Sequence, residues 1–205
     1  MNSIFRRFFA GLKVNKIIEY LTFSDIMVLS GWGLISPILA VFFTEQVKGG
    51  TVALAGLAAT TYFLTKSIVQ IPVARFIDSK RGEWDDYWVM VFGGLVISIS
   101  AFLYIFVQYP WQVIAVQIVY GLGGALAYPA WLAIFTRHID THKEGFEWSF
   151  YYTATDLGSA LTGGLGGLLA AAYGYNMVFV IVGIASLLGT AFLAGIVRDI
   201  KRSKQ

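Results

Sequence analysis

The sequence contains no cysteine and little charge. Without cysteine the chain can form neither a disulfide nor a thiolate metal site, and the redox compartment stays open. Charged residues make up 13% of the 205 residues, about half the share that is usual in a soluble domain. An ordinary soluble domain is therefore excluded.

Long apolar runs take the place of the missing charge. Of all residues 57% are hydrophobic, and the mean hydropathy is +0.68. Each run has about 20 residues, the length with which a helix crosses a hydrocarbon core about 30 Å thick. The pattern predicts an all-α, polytopic protein of the lipid bilayer. Its six transmembrane helices are predicted at residues 21–44, 52–75, 87–108, 112–135, 147–172 and 176–197.

The domain organisation and the orientation follow from the polar segments. Residues 21–197 form one membrane domain, between a predicted interfacial segment over residues 1–20 and a basic tail over residues 198–205. Four basic residues precede the first span, three lie between spans two and three, two lie between spans four and five, and four follow the sixth. The opposite side holds only Lys48. The positive-inside rule therefore predicts the cell (inner) membrane with both termini in the cytoplasm.

Three short motifs occur in order along the spans. The loop between spans two and three contains an Asp, a basic pair and a Gly, span four contains QIVYGLGGA, and span five contains GSALTGGLGG. Together they resemble the cytoplasmic signature, the fourth-span motif and the antiporter glycine motif of the major facilitator superfamily. The matching loop residues are Arg75, Asp78, Lys80, Arg81 and Gly82. The loop departs from the family pattern at Glu83, where a basic residue is usual.

The glycines of span five have a physical interpretation of their own. Gly158, Gly163, Gly166 and Gly167 lie in an apolar helix, where small residues allow close helix packing. Gly163 stands where the family motif has Pro. Gln117 in span four replaces an Arg that proton-coupled members often carry, which weakens the prediction of a proton antiporter.

The resemblance implies a function as well as a fold. Six spans correspond to one half of a twelve-span transporter, whose substrate site lies between two halves. We therefore expect a half-size transporter that works as a parallel homodimer, or with a second six-span half, and moves a small organic solute by alternating access. The alternatives are a non-transporting scaffold or accessory subunit, and the N-terminal half of a twelve-span carrier. The basic ending VRDIKRSKQ favours a natural C-terminus over a random truncation.

Spans one and four, which line the cavity in this family, carry polar and aromatic stripes at helical spacing. An alternative for Asp25 is a helix cap or first-turn acid, and for the span-four stripe a packing face. The candidate substrate-binding residues are Asp25, Trp32, Ser36, Gln117, Tyr120 and Tyr128.

Lys66 and Asp156 are the best pair of ionisable residues inside the spans, where charge is costly and by default indicates function. Lys66 and Asp156 are both predicted about 14 Å from the cytoplasmic ends of their spans. We expect Lys66 of one protomer to face Asp156 of its partner. A structural pair, a coupling or substrate-binding role, and a lysine that snorkels to the interface are the alternatives.

The remaining motifs predict no chemistry. The sequence shows no nucleophile arrangement, no phosphate-binding glycine loop and no protease motif, so neither an enzyme nor a cofactor is expected, nor a nucleic-acid partner. His138 and His142 bracket Asp140 at metal-ligand spacing, but a solvated loop is the simpler interpretation. No metal site is predicted.

Overall fold

The computed structural model describes residues 14–79 and 82–202, which form helices and turns and contain no strand. The first helix, α1 (Lys16–Ile35), begins where the Asn15 side chain accepts a hydrogen bond from the Ile17 backbone at 3.0 Å. It therefore starts before the predicted residue 21. The predicted interfacial segment up to residue 13 lies outside the described residues.

The first span continues beyond α1. A short 3-10 turn over Ser36–Ile38 contains Pro37, which has no backbone N–H to donate and so interrupts the helical ladder. Helix α2 (Leu39–Glu45) completes the crossing. The remaining helices are α3 (Val52–Asp78), α4 (Trp84–Leu103), α5 (Pro110–Arg137), α6 (Glu144–Tyr173), α7 (Tyr175–Phe192) and α8 (Val197–Arg202).

The helices have the lengths that a bilayer requires. Within residues 14–79 and 82–202, five segments are long and apolar enough to cross a membrane, namely Lys16–Glu45, Val52–Asp78, Trp84–Phe106, Pro110–Arg137 and Tyr175–Lys201. Helix α6 has 30 residues and is not among these five segments, and it supplies the sixth helix of the bundle. The predicted all-α membrane fold is confirmed.

The helices alternate in direction, so that their ends meet in two apolar clusters. One cluster joins the start of α1 to the ends of α3 and α5, through Ile18, Ile77 and Ile134. The other joins α2 to the start of α3 and to α7, through Phe43, Leu54 and Phe179. We call the first of these the basic end. Lys16 forms an ion pair with Asp199 there at 2.8 Å.

The packing order leaves two helices at the edges of the bundle. Helix α1 packs against α6 and α7, and α5 packs against α3 and α4. Among the described residues, α3 and α6 share no substantial contact. They form opposite edges, and this arrangement positions the cavity that lies between them.

Candidate functional site

A cavity of about 230 Å³ lies in the middle of the bundle, against α1, α3, α4 and α5. Helix α6 reaches it through Tyr151, and the C-terminal part of α7 reaches it through Thr190. Most of its wall is apolar or aromatic. Its two charged lining residues are Asp25 and Lys66.

Asp25 faces the cavity from the middle of α1. Because α1 begins at Lys16 with Asn15 as its cap, Asp25 is neither the cap nor a first-turn acid. The Tyr151 hydroxyl donates a hydrogen bond to Asp25 Oδ2 at 2.8 Å. Within the described residues no cation forms an ion pair with this carboxylate.

Three stacked rings connect α1, α5 and α3 along one wall. The centroids of Trp32 and Tyr120 are 4.0 Å apart with an interplanar angle of 13°. Tyr62 in turn stacks on Tyr120, with their ring centroids 4.6 Å apart and an interplanar angle of 26°. The close approach of α3 depends on two glycines of α5: a Cβ at Gly121 would lie 2.9 Å from the Tyr62 carbonyl oxygen, and one at Gly124 would lie 3.3 Å from its hydroxyl.

Lys66 lines the cavity one helical turn beyond Tyr62. Its Nζ lies 4.6 Å from the ring centroid of Tyr128 and 6.0 Å from that of Tyr62. Asp156 is exposed on the outer face of α6. In the part of the chain that the structure describes, no ion pair joins Lys66 to Asp156 or to another carboxylate. The predicted contact between two protomers stays a prediction.

A second aromatic cluster closes the cavity toward the basic end. The ring centroid of Trp131 lies 4.7 Å from those of Tyr151 and Phe135, and the centroid of Trp148 lies 4.6 Å from that of Phe135. Trp131 and Tyr151 also line the cavity. The cluster joins α5 to α6 beside Asp25, so it holds the Tyr151 hydroxyl in place.

The structure brings four of the six predicted binding residues together. Asp25, Trp32, Tyr120 and Tyr128 all line the cavity. Ser36 is exposed in the 3-10 turn beyond the cavity. Gln117 is buried outside the lining residues, and its Oε1 has no hydrogen-bond partner among the described residues.

Sequence reasoning missed two tyrosines that line the cavity. Tyr62 stands four residues before Lys66, a spacing that places both on one face of a helix and could have revealed it. Tyr151 stands five residues before Asp156 and gave no such signal, because its partner Asp25 lies on a helix that is far away in the sequence.

The cytoplasmic-signature region forms an ionic cluster that the family resemblance did not imply. Arg137 pairs with Asp86, and its Nη1 lies 3.9 Å from Glu83 Oε1. His138 Nδ1 lies 3.6 Å from the same oxygen. Glu83 is only 5% exposed. Burial raises the pKa of Glu83, while His138 and Arg137 act in the opposite direction.

The signature residues themselves are more accessible. Arg75 and Asp78 are exposed at the end of α3, and Lys80 and Arg81 lie outside the described residues. Gly82 has a φ of +110°, a backbone conformation that residues with a Cβ rarely adopt. This glycine lets the chain turn from α3 into α4.

The four predicted packing glycines differ in their surroundings. Gly166 lies directly against the backbone of Leu34, and Gly158 lies against the Ser30 side chain. Gly163 and Gly167 have room for a side chain, with the nearest atoms at 3.7 and 3.9 Å. The tight contact between α1 and α6 is therefore made by only two of the four.

The histidine-containing loop is held by local contacts. His138 Nδ1 lies 2.9 Å from the Ile134 carbonyl, and Asp140 pairs with Lys143 at 2.9 Å. The hydrogen bond from Lys143 lowers the pKa of Asp140. Across residues 14–79 and 82–202, no group of three or more His, Asp or Glu side chains is arranged to hold a metal ion.

Known proteins share both the sequence pattern and the fold. The family model of the Major Facilitator Superfamily matches residues 21–205. The multidrug resistance protein MdtG of Enterobacter lignolyticus is 24% identical over 193 residues, which cover 91% of this chain and 44% of MdtG. The uncharacterized MFS-type transporter MJ1560 of Methanocaldococcus jannaschii is 25% identical over 176 residues, 86% of this chain and 44% of that protein.

A solved structure shows the same arrangement of helices. The crystal structure of the POT family transporter PepTSo superimposes with a TM-score of 0.72 at 18% identity, over 92% of this chain and 38% of PepTSo. This likeness concerns the fold alone. The chain spans less than half the length of the relatives that it matches.

Proposed function

The chain belongs to the major facilitator superfamily, and on that basis we propose that it moves a small organic solute across a membrane by alternating access, as a parallel homodimer of six-helix halves. In this superfamily the substrate site lies between two halves related by an axis along the membrane normal. The chain matches 44% of MdtG, whose name refers to multidrug resistance. Both points support a half-transporter for organic solutes.

The observation that carries the proposal is the position of Asp156. It is exposed roughly midway along α6, on a face that also exposes Leu161 and Leu157. Ionisable residues at membrane depth almost always face a protein interior or a water-filled cavity. Since nothing in the described chain covers this face, we infer that a second half does.

Helix α3 offers the complementary edge. Phe63 and Ile68 are each 63% exposed, and α3 has the smallest buried share of the five apolar segments. In a parallel two-fold dimer, α3 of each protomer would meet α6 of its partner, so that the contact forms twice. The cavity, which lies between these edges, would then face its symmetry mate.

The oligomeric state is the first test. The purified chain in lipid nanodiscs is expected to be a dimer by mass photometry. Asp156→Leu is expected to lower the dimer fraction, whereas Thr153→Leu, an exposed position one turn away on α6, is expected to leave it nearly unchanged. A monomeric wild-type chain would contradict the homodimer.

Transport is tested with the chain alone in proteoliposomes. We expect uptake of at least one of ethidium, fluorescein and phenylalanine, which represent an organic cation, an organic anion and a zwitterion, above that of protein-free liposomes. No uptake of any of the three by a dimeric preparation would count against transport by the homodimer.

The predicted contact between Lys66 and Asp156 of two protomers has a test of its own. If the two side chains meet, cysteines at the two positions should crosslink between chains, and the single changes Lys66→Met and Asp156→Leu should each weaken the dimer. Removal of one partner of a buried pair costs about 3–5 kcal/mol. Crosslinking that yields only monomers would show that the two side chains do not meet.

Asp78 is proposed as a conformational switch. It is the exposed last residue of α3, and in the closed state it would meet the positive N-terminal end of α6 of the partner. Asp78→Asn should then reduce transport far more than Glu19→Gln, an exposed carboxylate of α1. Glu83 cannot serve as the control, because it is buried in the ionic cluster. Equal and mild losses would argue against the switch.

The match to less than half of each relative also supports a second candidate. The six helices would then be the N-terminal half of a twelve-span carrier, with a different second half in place of an identical one. Uptake that requires co-reconstitution with a second six-span chain would favour this candidate over the homodimer.

The orientation completes the proposal. Lys16, Arg137 and Lys201 all lie at the basic end, where Lys201 Nζ is 4.9 Å from the Trp84 ring centroid. The gathering of positive charge at one end supports a position in the cell (inner) membrane with both termini in the cytoplasm.

A further inference from the structure

The cavity contains two opposite charges that do not neutralise each other. Asp25 enters from α1 and Lys66 enters from α3. Within the described residues neither forms an ion pair, although both line the same cavity of about 230 Å³. Opposite charges that are held apart in one apolar cavity create a local field with a fixed direction.

Each of the two charges has hydrogen-bonding capacity left over. The Asp25 carboxylate accepts from Tyr151 at 2.8 Å, but two carboxylate oxygens offer about four acceptor positions. The Lys66 ammonium has three donors, and its observed neighbours are the faces of Tyr128 and Tyr62. An aromatic face attracts a cation but does not replace an anion.

The wall near these charges is lined by aromatic rings. The rings of Trp32, Tyr120 and Tyr62 stack on one another along one wall, and Trp131 lies toward the basic end. Because stacked rings cover each other's faces, this wall binds an apolar or aromatic group by contact and by edge-to-face packing. The cavity is slightly smaller than the roughly 300–1,000 Å³ of typical ligand pockets, as expected when a second half completes the site.

We propose that the cavity binds an amphipathic zwitterion, whose acid group pairs with Lys66, whose amine pairs with Asp25, and whose apolar body lies against the aromatic wall. This inference rests on the proposed transport function and names its substrate class. A ligand with only an anionic group would leave Asp25 without a partner, and a ligand with only a cationic group would leave Lys66 without one. A neutral solute would leave both charges without a partner.

Three compounds with one phenyl body and different charges test the inference. Phenylalanine is zwitterionic, phenethylamine carries only the cation, and 3-phenylpropionate carries only the anion. Equilibrium binding of the tritiated compounds to the full chain in nanodiscs should show phenylalanine at least ten-fold tighter than either analogue. Equal binding of the three, or binding of none, would overturn the proposal without any variant.

Two substitutions should then shift the preference in opposite directions. Lys66→Met removes the like charge that faces an amine, so phenethylamine should gain relative to phenylalanine. Asp25→Asn should favour 3-phenylpropionate in the same way. Lys48→Met is the matched control, because Lys48 also lies over a tyrosine ring, 5.4 Å from the Tyr109 centroid, but outside the cavity. An unchanged ranking in either cavity variant, provided that it keeps wild-type helix content and a single size-exclusion peak, would overturn the proposal.

One more variant distinguishes the proposed role of Lys66 in ligand binding from a role in the contact between two protomers. If Lys66 pairs with Asp156 of a partner protomer, Asp156→Asn should change the ranking of the three compounds, and that result would overturn the proposal. If Lys66 serves the cavity, Asp156→Asn should leave the ranking intact.

Binding and transport are distinguished by measuring both on the same preparation. The expected ranking without uptake of phenylalanine, ethidium or fluorescein in proteoliposomes would refute transport by the homodimer and leave the binding inference standing. Uptake of organic solutes with a flat ranking of the three compounds would refute the binding inference alone.

Discussion

Substitution of Gly166 by alanine tests the contact that holds α6 against α1. A Cβ at this position would lie 2.5 Å from the Leu34 carbonyl carbon and 2.9 Å from its Cα, and still closer to the carbonyl oxygen. These atoms belong to a helix backbone, so they cannot rotate away as a side chain would. The two helices must separate to admit the methyl group.

The cost follows from two opposing effects. Overpacking of a close contact costs about 1–3 kcal/mol, and the higher helix propensity of alanine returns about 1 kcal/mol. At Gly163 the new Cβ would lie 3.7 Å from the nearest atom, which is ordinary contact, so only the propensity term remains. Gly166→Ala should therefore destabilise the fold, while Gly163→Ala should be neutral or slightly stabilising.

Thermal unfolding of the full chain in detergent measures the difference. For a chain of this size about 1 kcal/mol corresponds to 2–4 °C, so an overpacking cost of about 1–3 kcal/mol should place the Gly166→Ala midpoint about 2–12 °C below that of Gly163→Ala. Because Asp25 and Tyr151 meet across the same helix pair, binding to the cavity should weaken as well. A Gly166→Ala protein as stable as Gly163→Ala would refute the close packing of α6 on α1.

Three further predictions concern the loops and the basic end. A cysteine at Gly49 should react with an impermeant thiol reagent in intact cells and one at Lys143 should not; equal labelling of both would contradict the proposed orientation. Arg137→Gln should destabilise the fold by about 1–3 kcal/mol, because the fully buried Asp86 carboxylate loses a donor. The added change Asp86→Asn should restore most of the lost stability. A single variant as stable as the wild type would show that the pair contributes little. Burial raises the pKa of Glu83 above its usual value of 4.5, so its ionisation opposes folding, and the free energy of unfolding should fall as the pH rises through the raised pKa. Glu83→Gln should remove this pH dependence in unfolding experiments from pH 4 to 7. An unaltered pH dependence would show that other groups cause it.

The sequence by itself determined the class of the protein, an all-α membrane protein built from long apolar segments. The length of an apolar segment and the charge of a loop are local properties, and each can be read from one short stretch of the sequence. The predicted family is confirmed by the match over residues 21–205. The glycine-containing motifs also predicted close helix contacts, although the identity of the tight positions within span five could not be read from them.

Only the tertiary structure decided which residues share the cavity. A helical wheel groups Gln117 with Tyr120 and Tyr128, but Gln117 is buried elsewhere and the other two line the cavity, because a face about 100° wide touches more than one neighbour. Tyr151 reaches Asp25 across 126 positions of sequence. No local pattern contains the contact between these two side chains, since it depends on how α1 and α6 pack against each other.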